Sequence, residues 1–249
     1  MASPTPPVAL ITGSGARRVG QTVARELAAR GYSLVLHAHT SVSEAQTFVE
    51  ELTDAGTQAI AVVADLRDEA SVAGLMRQAV DRFGRIDALV NCAAIWKRKP
   101  LEDVTAADVR EHFEINTLAT FLCCQQAGLV MIHQPDGGAI VNIGDWATAR
   151  PYRDYAAYFP SKGAIPALTR SLAVELAARN PRVRVNAILP GPVMLPPDLS
   201  AEERAEAIAG TLLGREGTPQ HIASAVAFLL ENDYITGVCL PVDGGRTIK

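Results

Sequence analysis

Tyr158 and Lys162 stand four residues apart in Tyr158-Phe159-Pro160-Ser161-Lys162, which places them on one face if the segment is helical. An unperturbed tyrosine, with a pKa of about 10, carries protons poorly at neutral pH. One positive charge about 6 Å away is worth about 3 kcal/mol at an effective dielectric of about 20, or roughly two pKa units. A lysine beside a tyrosine is thus a physical route to a usable general acid. Tyr-x-x-x-Lys also arises by chance on solvated helix faces. Here lysine is scarce, four against nineteen arginines, and neither Tyr152 nor Tyr155 has a basic residue four positions on. The pair is the leading candidate for proton transfer.

A second constellation lies near the start. A strand-like run ends in Thr12-Gly13-Ser14-Gly15-Ala16-Arg17-Arg18-Val19-Gly20, and a helix-period segment follows. Glycines in such a turn let the backbone approach a pyrophosphate, and the helix N-terminus supplies N–H donors and a positive dipole. A carboxylate about 20 residues on would bind a ribose 2′-hydroxyl and repel a 2′-phosphate. The second strand ends instead in His37-Ala38-His39-Thr40-Ser41, and the first acid is Glu44. Neutral donors there, with Arg17 and Arg18 opposite, favour NADPH/NADP+ through charge-assisted hydrogen bonds. Thr40 and Ser41 could equally cap the next helix.

The elements that must position these residues alternate along the chain. Apolar runs at 8–12, 33–38, 59–63, 87–91, 139–143, 183–188 and 238–242 are strand-length and too continuous for half-solvated strands. Helix-period segments at 20–30, 43–55, 69–83 and 106–132 lie among them. This alternation predicts one Rossmann-type, doubly wound parallel α/β sheet of about seven strands, with helices on both faces and a single domain over 1–249. The stretch 190–217 holds four of the fifteen prolines and a helical patch at 201–210. A connection of that length reads as the substrate-binding loop.

Composition narrows the function classes. The 249 residues are 48% hydrophobic and 20% charged with a net charge of −4, which excludes a disordered or collagen-like chain. A sequence pI near 5.8 and scattered arginines argue against a nucleic-acid surface. No apolar run approaches the roughly 20 residues that span a bilayer, and the N-terminus shows no secretory signal. Cys92, Cys123, Cys124 and Cys239 lack metal-ligand spacing and read as buried thiols, so no metal site and a cytoplasmic location are expected.

In order along the chain come the glycine turn, Asp65-Leu66, Asn91-Cys92-Ala93-Ala94, Asn116, Tyr158 with Lys162, Pro190-Gly191, Ile235-Thr236-Gly237 and Asp243-Gly244-Gly245. Over nearly its whole length the chain resembles the short-chain dehydrogenases/reductases. The resemblance implies hydride transfer between a nicotinamide and a carbonyl or imine carbon, with Tyr158 moving the proton. Lys162 would lower the tyrosine's pKa and hold the ribose, and Asn116 would anchor a relay water. Gly13, Gly20, Leu66, Ala93, Pro190 and Gly191 would line the cofactor site, with Asp65 at the adenine and Asn91 beside the cofactor. It also implies a homotetramer built on the helices around 106–132 and 161–179, whose apolar residues occupy more than one face.

One position departs from the common pattern. Most members have a serine thirteen residues before the tyrosine, and here Asp145 stands there. An ionised aspartate only accepts hydrogen bonds and would repel a developing alkoxide, so it suits a substrate presenting N–H donors, or one whose ring nitrogen receives the proton. Pteridine reductases carry aspartate at this position, an arginine in the turn that matches Arg18 or, in another register, Arg17, and an aromatic that stacks on the pterin, matched by Trp96. Trp96 could instead be rim packing. The chain is closest to that subfamily, which implies an NADPH-dependent pterin reductase with Arg18, Trp96, Asp145 and Tyr158 at the substrate. His39-Thr40 stands where those enzymes often have His-Arg. The alternatives are a carbonyl reductase for another small metabolite, such as a 3-oxoacyl thioester, and a non-catalytic NADP(H)-binding scaffold. Pro166 is expected to kink the helix that carries Lys162.

Overall fold

Residues 5–195 and 199–249 are described by a computed structural model. Seven strands, β1 (Val8–Thr12), β2 (Ser33–Ala38), β3 (Ala59–Val63), β4 (Ala88–Asn91), β5 (Gly138–Ile143), β6 (Val183–Pro190) and β7 (Cys239–Val242), form one parallel sheet. Their order is β3-β2-β1-β4-β5-β6-β7. Alternate side chains of each strand point to opposite faces, so Leu10 packs into one apolar layer while Ala9 and Ile11 pack into the other. Both layers are buried, which is why the strands are continuously apolar.

Helices α1 (Val19–Ala29), α2 (Val42–Asp54) and α8 (Pro219–Glu231) cover one face, and α3 (Glu69–Phe83), α5 (Ala119–Met131) and α6 (Tyr158–Ala177) cover the other. Local chemistry sets their ends. Asp68 caps α3 by accepting from Ser71 N at 2.7 Å, and Gly84 closes it at φ 80°. The short α4 (Ala106–His112) begins on a capping box between Thr105 and Asp108. Helix α7 (Ala201–Ala209) starts on another, between Ser200 and Glu203. Among the described residues no helix is long and apolar enough to cross a membrane.

The expected doubly wound sheet of seven strands is observed, and one helical detail differs from expectation. The segment 106–132 is α4, then a π-helical turn (Phe113–Leu118), then α5. The wider turn rotates Asn116 into the interior, where its side chain is fully buried. Pro166 lies inside α6, which runs as one 20-residue helix. Of the expected loop region 190–217, residues 196–198 lie outside the described residues.

The sheet reverses its winding between β1 and β4. Thr12 and Asn91, in register at the carboxyl ends of those two strands, mark the crevice where doubly wound sheets bind ligands.

Candidate active site

Gly13 follows β1 directly at φ 64°, a conformation that suits glycine, and a Cβ there would stand 2.7 Å from Ala93 Cα. The turn is fastened from below. Thr12 Oγ1 accepts from Cys92 N and Ala93 N, each at 3.1 Å. His37 Nδ1 accepts from Gly13 N at 3.1 Å, which leaves its Nε2–H to donate to Ala64 O at 3.0 Å. Burial pushes this imidazole's pKa down and keeps it neutral in that bridging role. The sequence reading did not single out His37 for this, since a histidine in an apolar strand gives no signal until its neighbours are known.

Around the turn the expected nucleotide residues assemble. A Cβ on Gly15 would overlap Ser41 Oγ, so this glycine lets the end of β2 close over the turn. Ser41 is the N-cap of α2 but makes no side-chain cap, which leaves its hydroxyl free of that duty. Arg17 and Arg18 are exposed and line a cleft of about 340 Å³ with Gln21, Thr22, Arg25, Met194 and Pro219. Asp65 is held by Arg67 (2.6 Å between Nη2 and Oδ2), which lowers its carboxyl to about 2, and His39 Nε2 lies 3.8 Å from the same oxygen. Leu66 is buried in the core beside it. Gly191, after Pro190 at the end of β6, has no room for a Cβ against Asp243.

The residues expected to handle protons converge at the ends of β5 and α6. Tyr158 Oη donates to Asp145 Oδ2 at 2.7 Å, and Asp145 Oδ1 accepts from Ala147 N at 2.8 Å. Lys162 Nζ donates to Ile143 O at 2.7 Å. Burial raises the Asp145 carboxyl above the usual range, against the Tyr158 hydrogen bond. Burial also lowers Lys162 to about 8. Burial and the Asp145 carboxylate together push the Tyr158 phenol well above its ordinary value. This reverses the lowering expected from Lys162. The aspartate accepts the phenol's hydrogen bond, and the ammonium donates to the carbonyl of Ile143.

Asn116 does not stand alone on its turn. Its Oδ1 accepts from Ile95 N at 2.8 Å, and its Nδ2 donates to Ile95 O and Ser161 Oγ, each at 3.0 Å. It therefore clamps the segment after β4 to α6. Behind it, Asn91 Nδ2 donates to Asn142 Oδ1 at 2.9 Å, and Asn142 Nδ2 donates to Thr169 Oγ1 at 3.0 Å. Trp96 is 40% exposed, and one of its faces stacks on Tyr155 at 4.9 Å and 8°. Tyr155 in turn meets Tyr158 edge-on. His112, also not anticipated, stands edge-on to Tyr158 at 6.3 Å with Nδ1 on Asp108 O.

The chain matches the family model described as enoyl-(acyl carrier protein) reductase over residues 15–247. The chain belongs to the short-chain dehydrogenases/reductases. An uncharacterized oxidoreductase of Methylorubrum extorquens is 37% identical over 245 residues, 96% of each chain. A hydroxynaphthalene reductase-like protein of Metarhizium brunneum is 34% identical, covering 96% of this chain and 94% of its own. A Streptomyces violaceoruber protein named as ketoacyl reductase 2 of the granaticin polyketide synthase is 36% identical, covering 98% and 97%. Among solved structures, a blue fluorescent protein from a metagenomic library in complex with NADPH superposes with a TM-score of 0.87 at 36% identity, over 96% and 97% of the chains. A Serratia marcescens short-chain dehydrogenase/reductase gives 0.88 at 32%, over 98% and 100%.

As a short-chain dehydrogenase/reductase, the protein is an NAD(P)-dependent oxidoreductase, and its own residues fit the cofactor. Gly13 permits close backbone approach, the first turn of α1 offers N–H donors, and Arg17 and Arg18 supply positive charge. Among the described residues, Asn91 Oδ1 is buried at the same crevice with no hydrogen-bond partner, an acceptor left for a donor from outside the chain.

Proposed function

We propose that the protein is an NADPH-dependent reductase of a carbonyl group in a small, flat substrate. The observation that carries this is the contact of Tyr158 Oη with Asp145 beside the Gly13 crevice, next to the stacked Trp96–Tyr155 pair. When bound, NADPH supplies the hydride to the carbonyl carbon. Tyr158 Oη gives its proton to the carbonyl oxygen as the C=O electron pair moves onto it. Lys162, whose charge lies close to Asp145, balances the negative charge left in the site. Asp145 serves this reading as a donor only when protonated, as a neutral carboxyl can donate to the substrate oxygen the way a serine would; burial shifts its carboxyl in that direction, while the hydrogen bonds from Tyr158 and Ala147 and the charge of Lys162 oppose it. The relatives named for ketoacyl and hydroxynaphthalene reduction support a carbonyl acceptor over the pterin one.

The cofactor preference rests on charge. His39, Thr40 and Ser41 offer no carboxylate at the end of β2, and Arg17 and Arg18 stand at the turn that Ser41 closes. A pterin substrate is the second reading. It is favoured by Asp145 as an acceptor for N–H donors when ionised, with Arg18 and Trp96 also at the substrate.

The test is NADPH consumption with an acetoacetyl thioester, a bicyclic aromatic ketone, a dihydropterin and dihydrofolate in parallel, repeated with NADH. Turnover of the thioester or ketone is expected. Turnover confined to the pterins would replace this reading with the second. Preference for NADH would overturn the charge argument, and cofactor binding with no turnover would leave the scaffold alternative.

For assembly we infer a homotetramer. Phe113, Leu118 and Phe121 are exposed large apolar residues beside Leu168 and Leu172, and together they line a cleft of about 390 Å³ between the π turn, α5 and α6. This is the face that the resemblance assigns to subunit contact.

A further inference from the structure

His37 takes the N–H groups of Gly13, Ser14 and Gly15 together. Its Nδ1 accepts from Gly13 N, and its carbonyl accepts from Ser14 N and Gly15 N at 3.1 and 3.2 Å. On its far side the ring donates from Nε2 to Ala64 O, and Ala64 N donates to Ala38 O at 3.1 Å. One imidazole, only 2% exposed, thus ties the turn after β1 to the end of β3 across β2.

The turn in turn sets the start of α1. A Cβ on Gly20 would lie 2.8 Å from Gly13 O, and Gln21 Nε2 donates to Gly15 O at 3.1 Å. The helix therefore begins hard against the turn, and a shift of one is passed to the other. With the three turn N–H groups taken by His37, an anion meets the head of α1, where Val19 N and Gly20 N have no acceptor within the helix. Where those donors point depends on where the turn is held.

The bond to Gly13 N needs a lone pair on Nδ1. An imidazolium carries a proton on both nitrogens, so Nδ1–H would face Gly13 N–H and leave a buried donor without an acceptor. The charged groups acting on the ring are His39, which opposes its protonation, and Asp65, which favours it and is itself held by Arg67. Gly13, Ser14, Gly15 and Ala64, which touch it, carry no charge.

We propose that His37 is a positioning residue for the cofactor, holding the turn and the head of α1 in the shape that receives the pyrophosphate only while Nδ1 is unprotonated, so that cofactor affinity falls on acidification. Buried beneath the turn, it acts through the backbone and not on the nucleotide. The proposal is independent of which carbonyl or pterin substrate is reduced.

The test is the Kd of NADP+, with NAD+ in parallel, measured by calorimetry between about pH 7.5 and about pH 4.5. The proteins are the unmodified chain, His37→Asn and His37→Leu. Asparagine offers Oδ1 in place of Nδ1 and does not titrate, whereas leucine keeps the bulk and offers no acceptor. At the upper pH, His37→Leu is expected to bind both nucleotides about tenfold more weakly, and His37→Asn to recover most of that loss. On acidification the Kd of the unmodified protein is expected to rise about fivefold more than that of His37→Asn. The rise sets in below 6.5, the ordinary value from which burial lowers this ring. NAD+ lacks the 2′-phosphate, whose own titration near about 6 is thereby set aside. Circular dichroism at each pH separates loss of binding from loss of fold. Parallel pH profiles for the unmodified protein and His37→Asn would overturn the pH dependence. Unchanged affinity in a folded His37→Leu would overturn the positioning role, and if that variant does not fold, the other two profiles decide.

Discussion

Asp145 is where the chemistry of this site departs from the simpler arrangement of tyrosine, lysine and hydroxyl. Its carboxyl takes the phenol proton's hydrogen bond at 2.7 Å, and burial raises its pKa. Under the carbonyl reading, Asp145→Ser keeps a donor to the substrate oxygen and retains ketone turnover within about tenfold, whereas Asp145→Ala loses roughly 10²-fold in kcat. Equal loss in both variants would point to the acceptor role, and steady-state rates with folded protein decide it. Lys162 carries the pH dependence. As pH rises through about 8 the buried ammonium loses its proton, so kcat/KM for NADPH is expected to fall on that limb. Its effect on stability has the other sign. The unfolded chain holds this proton with the ordinary value of 10.5, so between about 8 and 10.5 it binds more protons than the folded one and stability rises with pH. Melting temperatures of the unmodified protein and Lys162→Met across that window would show the difference. The direction of the Tyr158 shift was not legible from spacing alone, because spacing gives the lysine's proximity but not the carbonyl of Ile143 that claims it.

At the scale of elements, the glycine turn and the helices that flank it are the most exactingly built part. Gly13 combines a left-handed conformation with backbone contact to Ala93, so Gly13→Ala must strain the turn and push the segment after β4. A loss of about 1–3 kcal/mol is expected from denaturant unfolding, with NADPH binding weakened as the crevice shifts. Normal binding with unaltered stability would contradict the close approach. The positions of β1, β2, β3 and α3 match the apolar periodicity of the sequence because those segments are buried on a simple repeat. The π turn was invisible to the same reasoning. One extra residue in a helical turn changes no residue type, yet it decides that Asn116 points at Ile95 and Ser161 rather than outward. Pro166 takes one N–H donor from Lys162 O, yet α6 runs on past it, because its neighbours Ile165, Thr169 and Leu172 are buried.

At the scale of the whole molecule, an apolar face spans the π turn, α5 and α6. Exposed apolar area of this kind is buried in oligomers. Phe121→Asp places a charge there, and the inferred tetramer is expected to fall to smaller species in sedimentation at micromolar concentration, with the fold retained by circular dichroism. A monomeric unmodified protein would remove the inference.

The order of strands and helices, the glycine crevice and the Tyr158–Lys162 pair were determined by the sequence itself. Burial on both sheet faces imposes a one-dimensional pattern, and a four-residue spacing on a helix fixes neighbours without further information. What the tertiary structure decided is how polar groups are paired: Tyr158 with Asp145, Lys162 with a backbone carbonyl, His37 beneath the turn, and Arg246 between Trp146 and α7. Those pairings join residues up to a hundred positions apart. Their energies depend on burial and on which competing partner lies nearest, quantities that exist only once the chain is folded.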